Sequence, residues 1–344
     1  MKEALFYKKL ENAVSCGLCA RNCNIPEGQT GFCRVRKNVK GKLYSLVYGK
    51  LYSVAVDPIE KKPLYMFAPG SKTLSISSVG CNFRCDFCCN WQISQEADIS
   101  GEDYTPEAVV ELAKKNGVQG ISYTYVEPTV FYEFAYDTAK IASEQGLYNM
   151  FVTNGYTSPK AINKISRYLD AATVDFKGSA NPDFYSKLSQ VPKVEPIFDA
   201  LLAYKKSKVY TEITDLLVPE IGDNMEDLKK LCKWIVDNLG EEMPFHILQF
   251  FPTHKMTELP RTPVETLEKA YKVAKEQGLK YVYVGNVHGH KLENTYCPEC
   301  GELAIERSIM GVKRLLLKKD LKCPKCGEKM PVRGLKWVPS RLWK

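Results

Sequence analysis

The sequence predicts an α/β chain built on a partial, (β/α)6-type TIM barrel, with a small Cys-rich segment before it and a zinc-ribbon-like domain after it. Three observations carry this prediction. From residue 73 onward, strand-like apolar runs alternate with helix-like amphipathic runs, the pattern of a parallel sheet covered by helices. The unusual polar and sulfur-bearing residues fall just after the strand runs, where such folds collect their chemistry. The cysteines form three spaced groups: one ahead of the alternation, one after its first strand and one behind it.

Residues 1 to about 40 are turn-rich and carry the first cysteines, and the alternating stretch 42–56 suggests a hairpin. The next sixteen residues, rich in Pro and Lys, read as a connection. Strands are expected at 73–79, 120–125, 148–152, 171–175, 209–217 and 246–250, with 281–284 as a seventh. Helices are expected at 106–115, 130–144, 159–168, 195–206, 225–238 and 263–276. Thr105 suits the N-cap of the first helix and Pro106 its first position, where a missing N–H costs nothing. Six or seven strand–helix units are too few for a closed eight-fold barrel and suit an open one. The expected boundaries are 1–72 for the N-terminal segment and hairpin, 73–291 for the barrel and 292–344 for the C-terminal domain.

A hydrophobic content of 44% supports a proper core. The N-terminus scatters charges through what a secretory signal would keep apolar, and no run approaches the ~18 apolar residues of a membrane span. A soluble cytoplasmic protein without a membrane partner is expected. Lys and Arg number 48 against 40 Asp and Glu, a net charge of +8, and much of the excess lies in residues 313–344, interleaved with Trp337 and Trp343. That run suits either a solvated basic face or a nucleic-acid contact.

Short C-x-x-C spacings among 13 cysteines, without an export signal, favour metal ligation over disulfides. Cys232 lies in an amphipathic helical pattern and reads as a small buried hydrophobe. The central group, Cys81, Cys85 and Cys88, follows an apolar strand with C-x3-C-x2-C spacing. Three thiolates hold three irons of a cubane and leave the fourth open to a cofactor. A structural zinc would recruit a fourth ligand, and adjacent Cys89 projects elsewhere in an extended loop, so Cys89 reads as a bystander.

This motif, with Phe87 as its aromatic residue, resembles that of the radical S-adenosylmethionine (SAM) superfamily. Within it the chain looks most like the pyruvate formate-lyase activating enzymes, and more narrowly the AmmeMemoRadiSam radical SAM proteins, from about Cys16 to His288. The resemblance implies an oxygen-sensitive 4Fe–4S cluster, SAM chelated at its open iron, and a 5'-deoxyadenosyl radical that takes hydrogen from a substrate. It further implies a one-electron donor such as flavodoxin or ferredoxin, and a protein as the substrate to be activated.

By the same resemblance Glu127 meets the SAM ammonium, with Tyr125 and Val126 standing where the family has two glycines. Thr153 and Asn154 position SAM, and Lys177 pairs with its carboxylate. Asp175 belongs to a monovalent-cation site in the activating enzymes, but Val152 replaces that site's other carboxylate. An ion pair at a strand end is the other reading of Asp175 and Lys177. His246 resembles a histidine near SAM, and reads also as a hydrogen-bonded structural residue.

Cys297, Cys300, Cys323 and Cys326 form two knuckles suited to tetrahedral zinc, with a rubredoxin-like iron as the other occupant. Cys16, Cys19, Cys23 and Cys33 supply four more thiolates whose irregular spacing fits zinc or an auxiliary iron–sulfur cluster, in a small domain held by metal instead of a core. Three functions compete. The first is a SAM-cleaving oxidoreductase acting on a partner protein or another substrate, the second a radical enzyme modifying RNA or a peptide, the third a metal-bearing binding or electron-transfer module.

Overall fold

A computed structural model describes residues 1–96, 98–308 and 311–343. Its centre is an eight-stranded sheet in sequential order: β1 (Ser53–Pro58), β2 (Lys72–Ser77), β3 (Gly120–Tyr123), β4 (Tyr148–Thr153), β5 (Ala171–Lys177), β6 (Tyr210–Leu217), β7 (Phe245–Gln249) and β8 (Val282–Gly285). β2 to β8 run parallel, and β1 pairs antiparallel with β2 from Ser53↔Ser77 to Pro58↔Lys72. β1 and β8 stand at opposite edges, so the barrel is open as expected.

The helices are α1 (Pro106–Lys115), α2 (Tyr132–Glu144), α3 (Pro159–Ile165), α4 (Pro182–Leu188), α5 (Glu195–Lys206), α6 (Met225–Leu239) and α7 (Val264–Glu276). Their starts follow local chemistry. The side chains of Thr105, Ser158 and Asn181 accept from Ala108, Ala161 and Phe184 N–H groups, each ahead of a proline in the first turn. α6 buries Leu228, Leu231, Cys232 and Ile235, one stripe at helical spacing, which gives Cys232 the packing role expected of it. None of these helices is long and apolar enough to cross a membrane.

Three expectations for the N-terminal half need correcting. Residues 42–56 form no hairpin: Lys42–Ser45 pairs with Arg36–Val39 and Lys2–Glu3, Lys50–Leu51 pairs with Glu102–Asp103, and Ser53–Pro58 joins the main sheet. Alternation marks a strand, but not its partner. The supposed connection is a buried plug, with Ile59, Leu64, Met66 and Ala68 fully covered and Thr173 donating to the Lys62 carbonyl. Finally, Val14, Leu18, Ile25, Val35 and Leu43 share one core with the barrel, so the first Cys-rich segment is not held by metal alone.

At the C-terminus, Thr295–Tyr296, Leu303–Arg307 and Val312–Leu315 form a three-stranded sheet. Its core includes Tyr65, Met66 and Tyr283 from the barrel side. Trp337 packs on Tyr148 and Phe67 at centroid distances of 5.3 and 5.7 Å, and its indole N–H donates to the Gly146 carbonyl. That ring is a docking residue, which removes one of the two stacking partners expected for RNA. Lys344, the last of the basic run, lies outside the described residues.

Candidate active site

The loop leaving β2 carries Cys81, Cys85 and Cys88 and is fixed from three sides. Gly80 N–H donates to the Ile93 carbonyl, and the Arg84 and Asp86 N–H groups donate to the Ser189 and Leu188 carbonyls at the end of α4. The Arg84 guanidinium closes the loop on itself through the Cys81 and Phe83 carbonyls, both at 2.8 Å, and ties it to Phe32 of the N-terminal segment. Burial pushes the Cys81 thiol well above its ordinary value and the Cys85 thiol to about 12. A metal that ionises these thiols must therefore displace protons. Cys89 is exposed, and Phe87 packs on Phe184 of α4 at 5.3 Å, a support for the loop.

Gly80 takes φ +91°, and a Cβ there would meet Val35 Cγ1 at 2.6 Å and the Cys33 carbonyl at 2.8 Å. Gly80→Ala is expected to prevent iron incorporation at this loop although no ligand is removed. Iron and sulfide assays after anaerobic reconstitution check this, and wild-type loading would refute it.

Glu127 is buried after β3, and its carboxylate receives the Thr129 N–H and hydroxyl, the Thr153 hydroxyl and the Asn154 N–H. Three of these donors reach Oε1, while Oε2 accepts from Asn154 and shares the Thr153 hydroxyl. Burial raises the pKa of Glu127, opposed by those hydrogen bonds. This carboxylate organises the loop after β4. Its product is the placement of Asn154, whose side-chain NH2 donates to Asn82 Oδ1 at 2.8 Å and lies 4.0 Å from Cys81 Sγ. Tyr125 adopts φ +65°, so the glycine-like backbone persists without the glycine. Its hydroxyl donates to Asp57, and its carbonyl accepts from Asn90 at 2.7 Å.

At the end of β5, Lys177 Nζ lies 3.4 Å from Asp175, whose other oxygen accepts from Thr214. Desolvation works against the Lys177 charge, but the Asp175 carboxylate outweighs it and raises the Lys177 pKa. With Val152 supplying no oxygen, Asp175 takes its positive partner from Lys177. His246 is in register with Thr214, whose hydroxyl donates to Asp175. It lies near the start of β7, 1% exposed, with Nε2 at 2.7 Å from Glu212 and its ring between Tyr65 and Tyr283. Glu212 accepts from the Tyr65 and Met66 N–H groups, so this pair anchors the plug.

Sequence reasoning missed the lining beneath the site. Lys62, 2% exposed, pairs with Asp57 at 2.7 Å, and Asp57 also receives Ser75, Lys61 and Tyr125. The apolar run Leu64–Phe67 inside the supposed connection was the available signal of burial. Beyond β5, Ser179 takes φ +53° and is held by its N–H and hydroxyl to Asp215 at 2.9 and 2.8 Å. Burial pushes Asp215 to about 7. A carboxyl raised above its unfolded value of ~3.9 favours the fold fully at low pH, and this contribution is lost as pH rises through the folded pKa. Asp215→Asn should remove its share of the decline in melting temperature over that window, and an unchanged slope would mean that Asp215 is ionised throughout.

In the C-terminal domain, Cys297 and Cys326 Sγ are 3.5 Å apart, Cys300 and Cys323 Sγ 3.6 Å, and all four lie within 4.8 Å of one another. A tetrahedral ion with ~2.3 Å metal–sulfur bonds sets an edge of roughly 3.8 Å, so this quartet fits a single metal ion.

The model of the Radical SAM superfamily matches residues 75–235. The uncharacterized protein MJ0808 of Methanocaldococcus jannaschii is 47% identical, covering 96% of this chain and 99% of that protein. The pyruvate formate-lyase-activating enzyme of Clostridium pasteurianum is 24% identical, over 68% of this chain and 98% of that enzyme. A radical SAM methyltransferase structure from Sphaerobacter thermophilus shares the fold, with a TM-score of 0.51 at 16% identity over 68% of this chain and 70% of that one.

Proposed function

The chain belongs to the radical SAM superfamily, and from that premise we propose that it cleaves SAM at Cys81, Cys85 and Cys88 to generate a radical on a partner protein. The observation that carries this reading is the placement of Asn154, set by Glu127 and Thr153, against Cys81, with Lys177 paired to Asp175 at the end of β5. When bound, the 4Fe–4S cluster and SAM supply a 5'-deoxyadenosyl radical. The protein's part is geometric and electrostatic. Arg84 and the turn at Leu188 and Ser189 hold the loop rigid, Asn154 offers a polar contact over Cys81, and Lys177 offers a cation for the SAM carboxylate. The three Cys sulfurs do not all lie within 4.8 Å of one another, which suits thiolates on separate irons.

Support for a protein substrate comes from the relative named as an activating enzyme, and a low-potential flavodoxin- or ferredoxin-type donor suits the single electron required. The test is deuterium transfer. A candidate glycyl-radical partner deuterated at glycine, incubated with reduced protein and SAM, should pass deuterium into 5'-deoxyadenosine. Transfer from a small molecule or an RNA, and none from protein, would replace the partner in this proposal.

A further inference from the structure

Cys16, Cys19, Cys23 and Cys33 line one chamber between the N-terminal segment and the barrel, together with Arg21, Arg36, Asn82 and Thr129. We propose that this chamber holds a second, auxiliary iron–sulfur cluster, seated against the loop of the first, and not a single zinc ion.

Sulfur spacing is the first ground. The C-terminal quartet draws its sulfurs to within 4.8 Å of one another, as one ion at the centre of a tetrahedron requires. Among the described residues it is the one such group. No three of the N-terminal cysteines come that close together, and in this they behave like Cys81, Cys85 and Cys88. Four thiolates on four different irons stand apart by the width of a cube, with inorganic sulfide filling the space between.

Polar satisfaction points the same way. Asn82 Nδ2 and Arg36 Nε belong to lining residues, are buried, and have no hydrogen-bond acceptor, cysteine sulfur included. Asn82 is 1% exposed and Arg36 2% exposed. Buried donors of this kind are costly unless something accepts from them, and bridging sulfides supply acceptors at the centre that the wall does not. A ligand that ionises all four thiols leaves a net negative group, which the adjacent Arg21 guanidinium faces without a carboxylate partner, its own bonds going to the Asn82 and Gln190 carbonyls.

The chamber also adjoins the first site. Arg21 Nε lies 2.6 Å from the Asn82 carbonyl, one residue after Cys81, and Gly80 lies against Cys33 and Val35. Thr129, another lining residue, holds Glu127.

Acid-labile sulfide decides the matter, because neither zinc nor a lone iron in the C-terminal quartet carries it. In the full chain with Cys81, Cys85 and Cys88 all replaced by Ala and reconstituted anaerobically, about four sulfides per chain should remain. Their absence in protein that still holds its C-terminal metal and its native circular dichroism overturns the proposal. In the otherwise native chain, Cys19→Ser with Cys23→Ser should halve the sulfide, and an unchanged value also overturns it. The first variant lacks the thiolates on which SAM cleavage is proposed to depend, so its sulfide content tests the auxiliary cluster separately from that activity.

Discussion

Replacing Cys81, Cys85 or Cys88 by Ala, one at a time, is expected to reduce SAM cleavage to the level of iron-free protein. Each thiolate holds its own iron, so losing one leaves a cubane with two unligated corners. The loop tolerates no substitute from its neighbourhood. Arg84 binds the Cys81 and Phe83 carbonyls, Asp86 N–H binds the Leu188 carbonyl, and Cys89 is exposed beyond this frame. Cys89→Ala should leave cleavage and cluster absorbance largely intact. Loss of both in Cys89→Ala, with retention in one of the other three variants, would reassign the ligands. The measurements are 5'-deoxyadenosine by chromatography and the iron–sulfur absorbance contributed by this loop.

The second large effect is on stability. Arg36 and Glu133 form a two-pronged ion pair at 2.9 and 3.0 Å, each 2% exposed, and Glu133 also receives the Leu5 N–H. Glu133→Ala strands a buried guanidinium and should cost about 3–5 kcal/mol, read as a lower denaturant midpoint. Arg36→Met with Glu133→Leu removes both charges and should recover most of that loss. If the double variant is no better than Glu133→Ala, lost packing outweighs the stranded charge. This pair joins the N-terminal segment to α2, and so fixes one wall of the cysteine chamber.

Most of the barrel was legible in the sequence because a parallel sheet buried on both faces writes itself as apolar runs bounded by turns. The seven parallel strands lie within a few residues of their expected positions. What pattern reading misses is pairing between distant segments. Ser53–Pro58 has an ordinary alternating sequence, and only its tertiary position makes it a sheet edge. α4 is seven residues long, too short for a clear period, yet its end supplies the carbonyls that hold the cysteine loop.

The site divides along the same line. The cysteine spacings are short-range and were read directly. Asn154 lies beside Cys81, and Glu127 accepts from Thr129, Thr153 and Asn154. Which way a carboxylate points depends on donors from neighbouring loops, and no local motif encodes that. His246 shows the same limit: its sequence neighbours Pro244 and Phe245 say nothing of Glu212, 34 residues earlier, whose carboxylate lies 2.7 Å from the ring.

Reductive cleavage of SAM is the central claim, and one anaerobic assay tests it most directly. Protein reconstituted with iron and sulfide, reduced with dithionite and given SAM, should form 5'-deoxyadenosine and methionine, and the Cys81→Ala, Cys85→Ala and Cys88→Ala proteins should form neither. Intact iron–sulfur absorbance with no 5'-deoxyadenosine from the native sequence would contradict it.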